Sequence, residues 1–143
     1  MTLTQKQDEL TSQLASFKTG QDRLAWLVER VRQRPPIPAE FRVDANLVPG
    51  CLARLWLVPQ FSNGRCRFVS DSDALIVKAI AGLLCDFYSD QLPEDILAHD
   101  PGFLGKLGVT QHITPNRRNA LSRVWENIRR FAEEHASAKR AAN

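Results

Sequence analysis

Leu52-Ala53-Arg54-Leu55-Trp56-Leu57-Val58-Pro59 (52–59) and, three residues on, Asn63-Gly64-Arg65-Cys66-Arg67-Phe68-Val69-Ser70 (63–70) decide how this chain is read. The first run is mostly apolar and β-favouring, and Pro59 is expected to end it. Asn-Gly is a strong hairpin turn signal. Beyond it, Arg65 to Phe68 alternate, so Cys66 and Phe68 point inward while Arg65 and Arg67 face solvent. The pair reads as a β-hairpin with a loop of several residues.

Helical patterns flank this hairpin. Thr4 with Gln7 reads as a capping box, followed by the apolar stripe Leu10, Leu14, Phe17. After Thr19-Gly20, Asp22 is placed to cap a second helix with Leu24, Leu27, Val28 and Val31 on one face. Arg34-Pro35-Pro36 ends it, since a residue before proline is pushed out of the helical region. Residues 35–48 carry three prolines without clear period and read as an ordered surface connector.

Downstream, Asp71-Ser72-Asp73 offers N-caps, Ser72 or Asp73, for a helix through Cys85 that is apolar nearly all round and therefore central. Lys78 is its only charge before Asp86 and is expected to reach outward. Pro93 opens a short helix over about 92–98. Phe103, Leu104 and Leu107 suggest another short turn. Thr114-Pro115 then starts a long helix bearing Leu121, Val124, Trp125, Ile128 and Phe131 on one face. The fold class is α+β: a small antiparallel sheet packed on one face by helices. The chain reads as a single domain over 1–143, with its core over about 4–136 and a frayed tail from about Ser137.

Composition narrows the function classes. No apolar run spans a bilayer, and the start lacks the basic end and apolar middle of a signal peptide, so the expected location is the cytoplasm. Cys51, Cys66 and Cys85 are odd in number and match no metal or redox spacing, which argues for reduced thiols. From Pro115 onward seven Lys/Arg stand against three Glu. This could be a nucleic-acid face, but the basic residues flank an ordinary core stripe and no aromatic stacking platform accompanies them. The glycines at 102, 105 and 108 make no phosphate-binding turn, and helix capping accounts for the acidic pair Asp71 and Asp73.

One residue stands apart. Cys51 follows the Pro49-Gly50 break at the entrance to the first strand, whereas Cys66 and Cys85 fall on core positions. Loop residues held by rigid neighbours often carry chemistry. A lone thiolate there could serve a Cys/His hydrolase or, with His112, a metal or cluster module. The first lacks local signatures and the second has too few ligands. Sulfur carriage asks less: a deprotonated cysteine, shelter from oxidants and a docking surface.

Pro35-Pro36-Ile37-Pro38-Ala39-Glu40-Phe41-Arg42, Gly50-Cys51 leading to Leu55-Trp56-Leu57, Asp71-Ser72-Asp73-Ala74 with Ile76-Val77-Lys78, and Leu107-Gly108 through His112-Ile113-Thr114-Pro115 to Arg117 and Asn119 occur in order. In these blocks, covering about residues 20–130, the chain resembles the SufE/CsdE family of sulfur acceptors. The resemblance implies a SufE/IscU-like two-layer domain. It also implies that Cys51 accepts persulfide sulfur from a PLP-dependent cysteine desulfurase of the SufS/CsdA type, stimulates that enzyme and feeds an Fe–S assembly scaffold.

By the same resemblance the PLP belongs to the partner, the chain itself needs no cofactor or metal, and its role is accessory rather than enzymatic. Gly50, Asp73 and Arg117 match motif positions and are expected to dock the partner or shape the site. His112 and Trp56 are further candidates, each with a structural alternative. The family usually follows Gly-Cys with Gln-Ser, where this chain has Leu52-Ala53, which removes two side chains able to brace the loop.

Overall fold

The computed structural model describes residues 1–110 and 113–142, with side chains through Ala136. Strands β1 (Leu55–Ser62) and β2 (Arg65–Ser72) pair antiparallel, in register from Ser62↔Arg65 to Leu55↔Ser72. The connection is therefore the minimal two-residue turn, not the longer loop expected. Asn63 (φ 55°) and Gly64 (φ 78°) both occupy the left-handed region, which matches the right-handed twist of the strands.

Pro59 does not end the strand either. It pairs with Phe68, whose N–H turns away from β1 to donate to Ser89 Oγ at 3.0 Å. Position 59 is thus a non-hydrogen-bonded site of the ladder, where a missing N–H costs nothing.

Helix α1 (Leu3–Ala15) begins two residues earlier than the Thr4 reading: Thr2 Oγ1 accepts from Gln5 N–H, and the Gln5 side chain accepts from Thr2 N–H. The earlier start buries Leu3 with Leu10 and Leu14. In α2 (Gly20–Arg32), Thr19 caps and Asp22 supplies the N–H it receives, reversing the role given to Asp22. Leu27 and Val31 are buried, as their spacing predicts.

Helix α3 (Leu75–Tyr88) is buried along most of its length. It packs against β2, α2 and α6 (Pro115–Ala142), making it the centre of the molecule. Arg30 and Arg34 of the α2 segment converge on Asp86 near its end. Lys6 Nζ donates to the carbonyls of Asp86, Phe87 and Ser89 at 2.9, 3.1 and 2.9 Å. Short helices α4 (Pro93–Leu97) and α5 (Phe103–Lys106) connect α3 to α6.

The fold is α+β, as expected, with helices against one face of the hairpin. Leu55, Leu57, Cys66 and Phe68 lie on that face and join the main core. The connector of residues 35–48, which contains two short 3₁₀ turns, covers the start of the opposite face. There Arg42 lies 4.6 Å over the Trp56 ring, while Leu47 forms a backbone bridge with Trp56 at the open edge of β1. Among the described residues, no helix is long and apolar enough to cross a membrane.

Candidate functional site

The segment from Pro49 to Arg54 is a loop closed at its base by Val48 N–H donating to Leu55 O at 2.8 Å. Its far side is tied to the end of β2 and the turn that follows it, since Arg54 O accepts from Ser72 Oγ at 2.6 Å and from Asp73 N–H at 3.4 Å. The tip is held by α6: Asn119 Nδ2 donates to Gly50 O at 2.9 Å. Gly50 adopts φ 81° with the Arg123 guanidinium against it, so that a Cβ there would stand 3.0 Å from Arg123 Nε. Asn119 and Arg123 are one turn apart on the same helical face. Asn119 braces the loop by its hydrogen bond, and Arg123 packs against the same glycine.

Cys51 therefore sits at the middle of a loop anchored on β1, the end of β2 and α6. Of the three cysteines, all unpaired, it alone is half-buried. It lines a cavity of about 230 Å³. The other walls are Ala53 and Leu52, Ala74 and Val77 of the α3 segment, and Thr114, Asn116, Arg117 and Ala120 at the start of α6. Leu52 is 84% exposed, an apolar side chain standing at the rim.

The first turn of α6, where Thr114 Oγ1 accepts from Arg117 N–H at 3.3 Å, directs a helix N-terminus at this space. Burial pushes the Cys51 thiol above its usual range, and the Arg123 charge pulls against it. Cys66 and Cys85 lie deeper, with burial pushing their thiols up to about 11 and about 12.

The other candidates separate. Arg117 is on the cavity wall with Cys51. Gly50 shapes the loop through its left-handed backbone. Asp73 is exposed and does not line the cavity; nor does it cap α3, whose N-cap is Ala74 with no side-chain bond. Ser72 instead accepts from Ala74 N–H at 3.1 Å. Trp56 is buried beneath Arg42 on the other side of the sheet. His112 lies outside the described residues.

Asp71, read as part of a capping cluster, is a buried brace. It accepts from Ile37 N–H of the connector at 3.2 Å and pairs with Lys78 Nζ at 3.5 Å. Lys78 thus turns back onto the sheet rather than outward. Arg123 went unnoticed in the sequence because nothing local distinguishes it from its basic neighbours.

The SufE family model, described as "Fe-S metabolism associated domain", matches residues 8–132. The chain belongs to the SufE family. It is similar to the "Cysteine desulfuration protein SufE" of Wigglesworthia glossinidia brevipalpis, with 28% identity over 120 residues, 82% of this chain and 83% of that one. Among solved structures it is similar to a hypothetical protein from Thermus thermophilus. The TM-score is 0.70 at 24% identity, covering 96% of this chain and 99% of that chain, a likeness of fold. Among the described residues no cluster of three or more His, Cys, Asp or Glu could hold a metal ion.

Proposed function

We propose that Cys51 is the sulfur acceptor of this SufE-family chain. It takes sulfane sulfur from the catalytic cysteine of a PLP-dependent cysteine desulfurase and passes it toward Fe–S cluster assembly. The Cys51 thiolate attacks the outer sulfur of the partner's persulfide. A bond forms between Cys51 Sγ and that sulfur, the partner's own S–S bond breaks, and its cysteine leaves as a thiolate. The sulfur keeps its proton or releases it to solvent, and no external oxidant or reductant is needed. PLP stays with the partner, and the carrier stimulates the desulfurase by unloading it.

The observation that supports this reading most is the contrast among the thiols. Cys66 and Cys85 are sealed in the core, while Cys51 opens on a walled cavity beneath an exposed Leu52. Exposure with partial shelter suits a persulfide, which must be handed over but kept from oxidants. The Arg123 charge favours the anion against the effect of burial.

Incubation with a SufS/CsdA-type desulfurase and cysteine, followed by intact mass, is expected to show one added sulfur per chain. Cys51→Ser is expected to keep the fold by circular dichroism and to lose the label. Labelling retained in that variant would overturn the assignment. Stoichiometric iron or zinc in protein purified without oxygen would instead favour a metal or cluster module.

A further inference from the structure

We propose that Arg123 is a positioning residue for Cys51: its guanidinium holds the Gly50-Cys51 step and supplies the positive charge that stabilises the sulfur anion there. The proposal rests on the reading of Cys51 as the acceptor, but its test does not require the desulfurase.

Three observations carry it. The guanidinium is seated against Gly50, with Nε, Cζ and Nη2 at 3.0, 3.3 and 3.4 Å from where a Cβ would be. No other residue than glycine at 50 would leave this approach free. Second, Arg123 Nε is buried and makes no hydrogen bond, while Nη1 is engaged by Glu126 Oε2 at 3.3 Å. A buried cationic N–H without an acceptor is uncommon, since such groups are normally satisfied. This one is beside the residue that precedes Cys51. Third, the Arg123 charge acts on the Cys51 thiol, opposing the effect of burial.

The persulfide gives this donor a purpose. It is a stronger acid than the thiol, hence an anion at neutral pH, and it extends one S–S bond, about 2.05 Å, beyond Sγ. A guanidinium seated against the loop favours both the attacking thiolate and the loaded product. Apart from Cys51, the titratable group lining the cavity among the described residues is Arg117 of α6; the α3 wall, Ala74 and Val77, carries no charge. Glu126 offsets Arg123 from its own helix, and His112, in the segment leading to α6, lies outside the described residues.

The test is the pH profile of Cys51 alkylation by iodoacetamide in the full chain, read by peptide mass and compared among wild type, Arg123→Gln, Arg123→Lys and Glu126→Gln. Arg123→Gln is expected to raise the midpoint by about half a unit, slowing alkylation at pH 7 roughly threefold, with the high-pH plateau unchanged. Arg123→Lys is expected to restore most of the shift, and Glu126→Gln to move the midpoint the other way.

Equal midpoints in wild type and a folded Arg123→Gln variant would overturn the proposal, as would equal shifts in the Gln and Lys variants, which would mark a packing contact only. If Arg123→Gln does not fold, the Glu126→Gln shift decides. Desulfurase loading measured alongside separates the two readings: a midpoint shift in a protein that takes no sulfur would sink the carrier function and leave Arg123 in place.

Discussion

Gly50 is where backbone and site meet. A side chain there would hold the left-handed conformation at a cost of about 1–2 kcal/mol. It would also press on the Arg123 guanidinium, which can give because it is the end of a flexible side chain. Gly50→Ala is therefore expected to lower unfolding free energy by about 1–2 kcal/mol in urea titration. It should also slow sulfur uptake by Cys51. An unchanged urea midpoint would show that the loop relaxes freely.

The three thiols differ by burial, and that has a direct readout. In the native protein iodoacetamide is expected to label Cys51 alone, at a rate still rising above the ordinary thiol value of 9.0. Label on Cys66 or Cys85 under folding conditions would contradict their sealed positions. The special status of Cys51 was legible from the Pro49-Gly50 break before it. Its bracing by Asn119 and Arg123 was not, because contact across some seventy residues leaves no local mark.

Among the elements, α3 depends on help from α1. Its last carbonyls have no partners within the helix. Lys6 Nζ collects three carbonyls there, adding a cation at the negative end of the dipole. Lys6→Met, which keeps the aliphatic stem, is expected to cost about 1–3 kcal/mol in chemical denaturation, since bonds to a charged donor exceed neutral ones. A loss below a few tenths would mean that water replaces the lysine without penalty. The apolar run 74–85 announced α3 as the buried helix, but neither Lys6 nor the Asp71–Lys78 pair could be placed from the run itself. The hairpin was legible in kind, yet its loop was overestimated. Pro59 reads as a stop unless one knows which edge Phe68 presents to Ser89.

At the scale of the whole molecule, the core is sensitive to alkali. Unfolded thiols ionise near 9.0, whereas folded Cys66 and Cys85 keep their protons to about 11 and about 12. Tyr88 is likewise raised by burial, its hydroxyl donating to His99 O at 2.6 Å. Groups with raised folded values stabilise fully below their unfolded values and lose that contribution as pH rises through the folded ones. Stability is thus expected to be flat toward pH 8 and to fall between about 9 and 12. Urea midpoints across that window check it, and Cys66→Ala with Cys85→Ala should flatten the slope. A wild-type curve that stays level to pH 11 would argue that these thiols titrate freely.

The amino-acid sequence by itself determined the order and type of the elements, the α+β class and the cysteine set apart from the core, because periodicity, turn chemistry and the Gly50-Cys51 step are local properties. Tertiary structure alone decided that α6 reaches the Cys51 loop, that the 35–48 connector covers the Trp56–Asp71 end of the hairpin's second face, and that one arginine among several lies beside the sulfur-bearing segment. Those contacts arise from how helices pack on a twisted two-stranded sheet, and packing joins residues whose separation along the chain carries no signal.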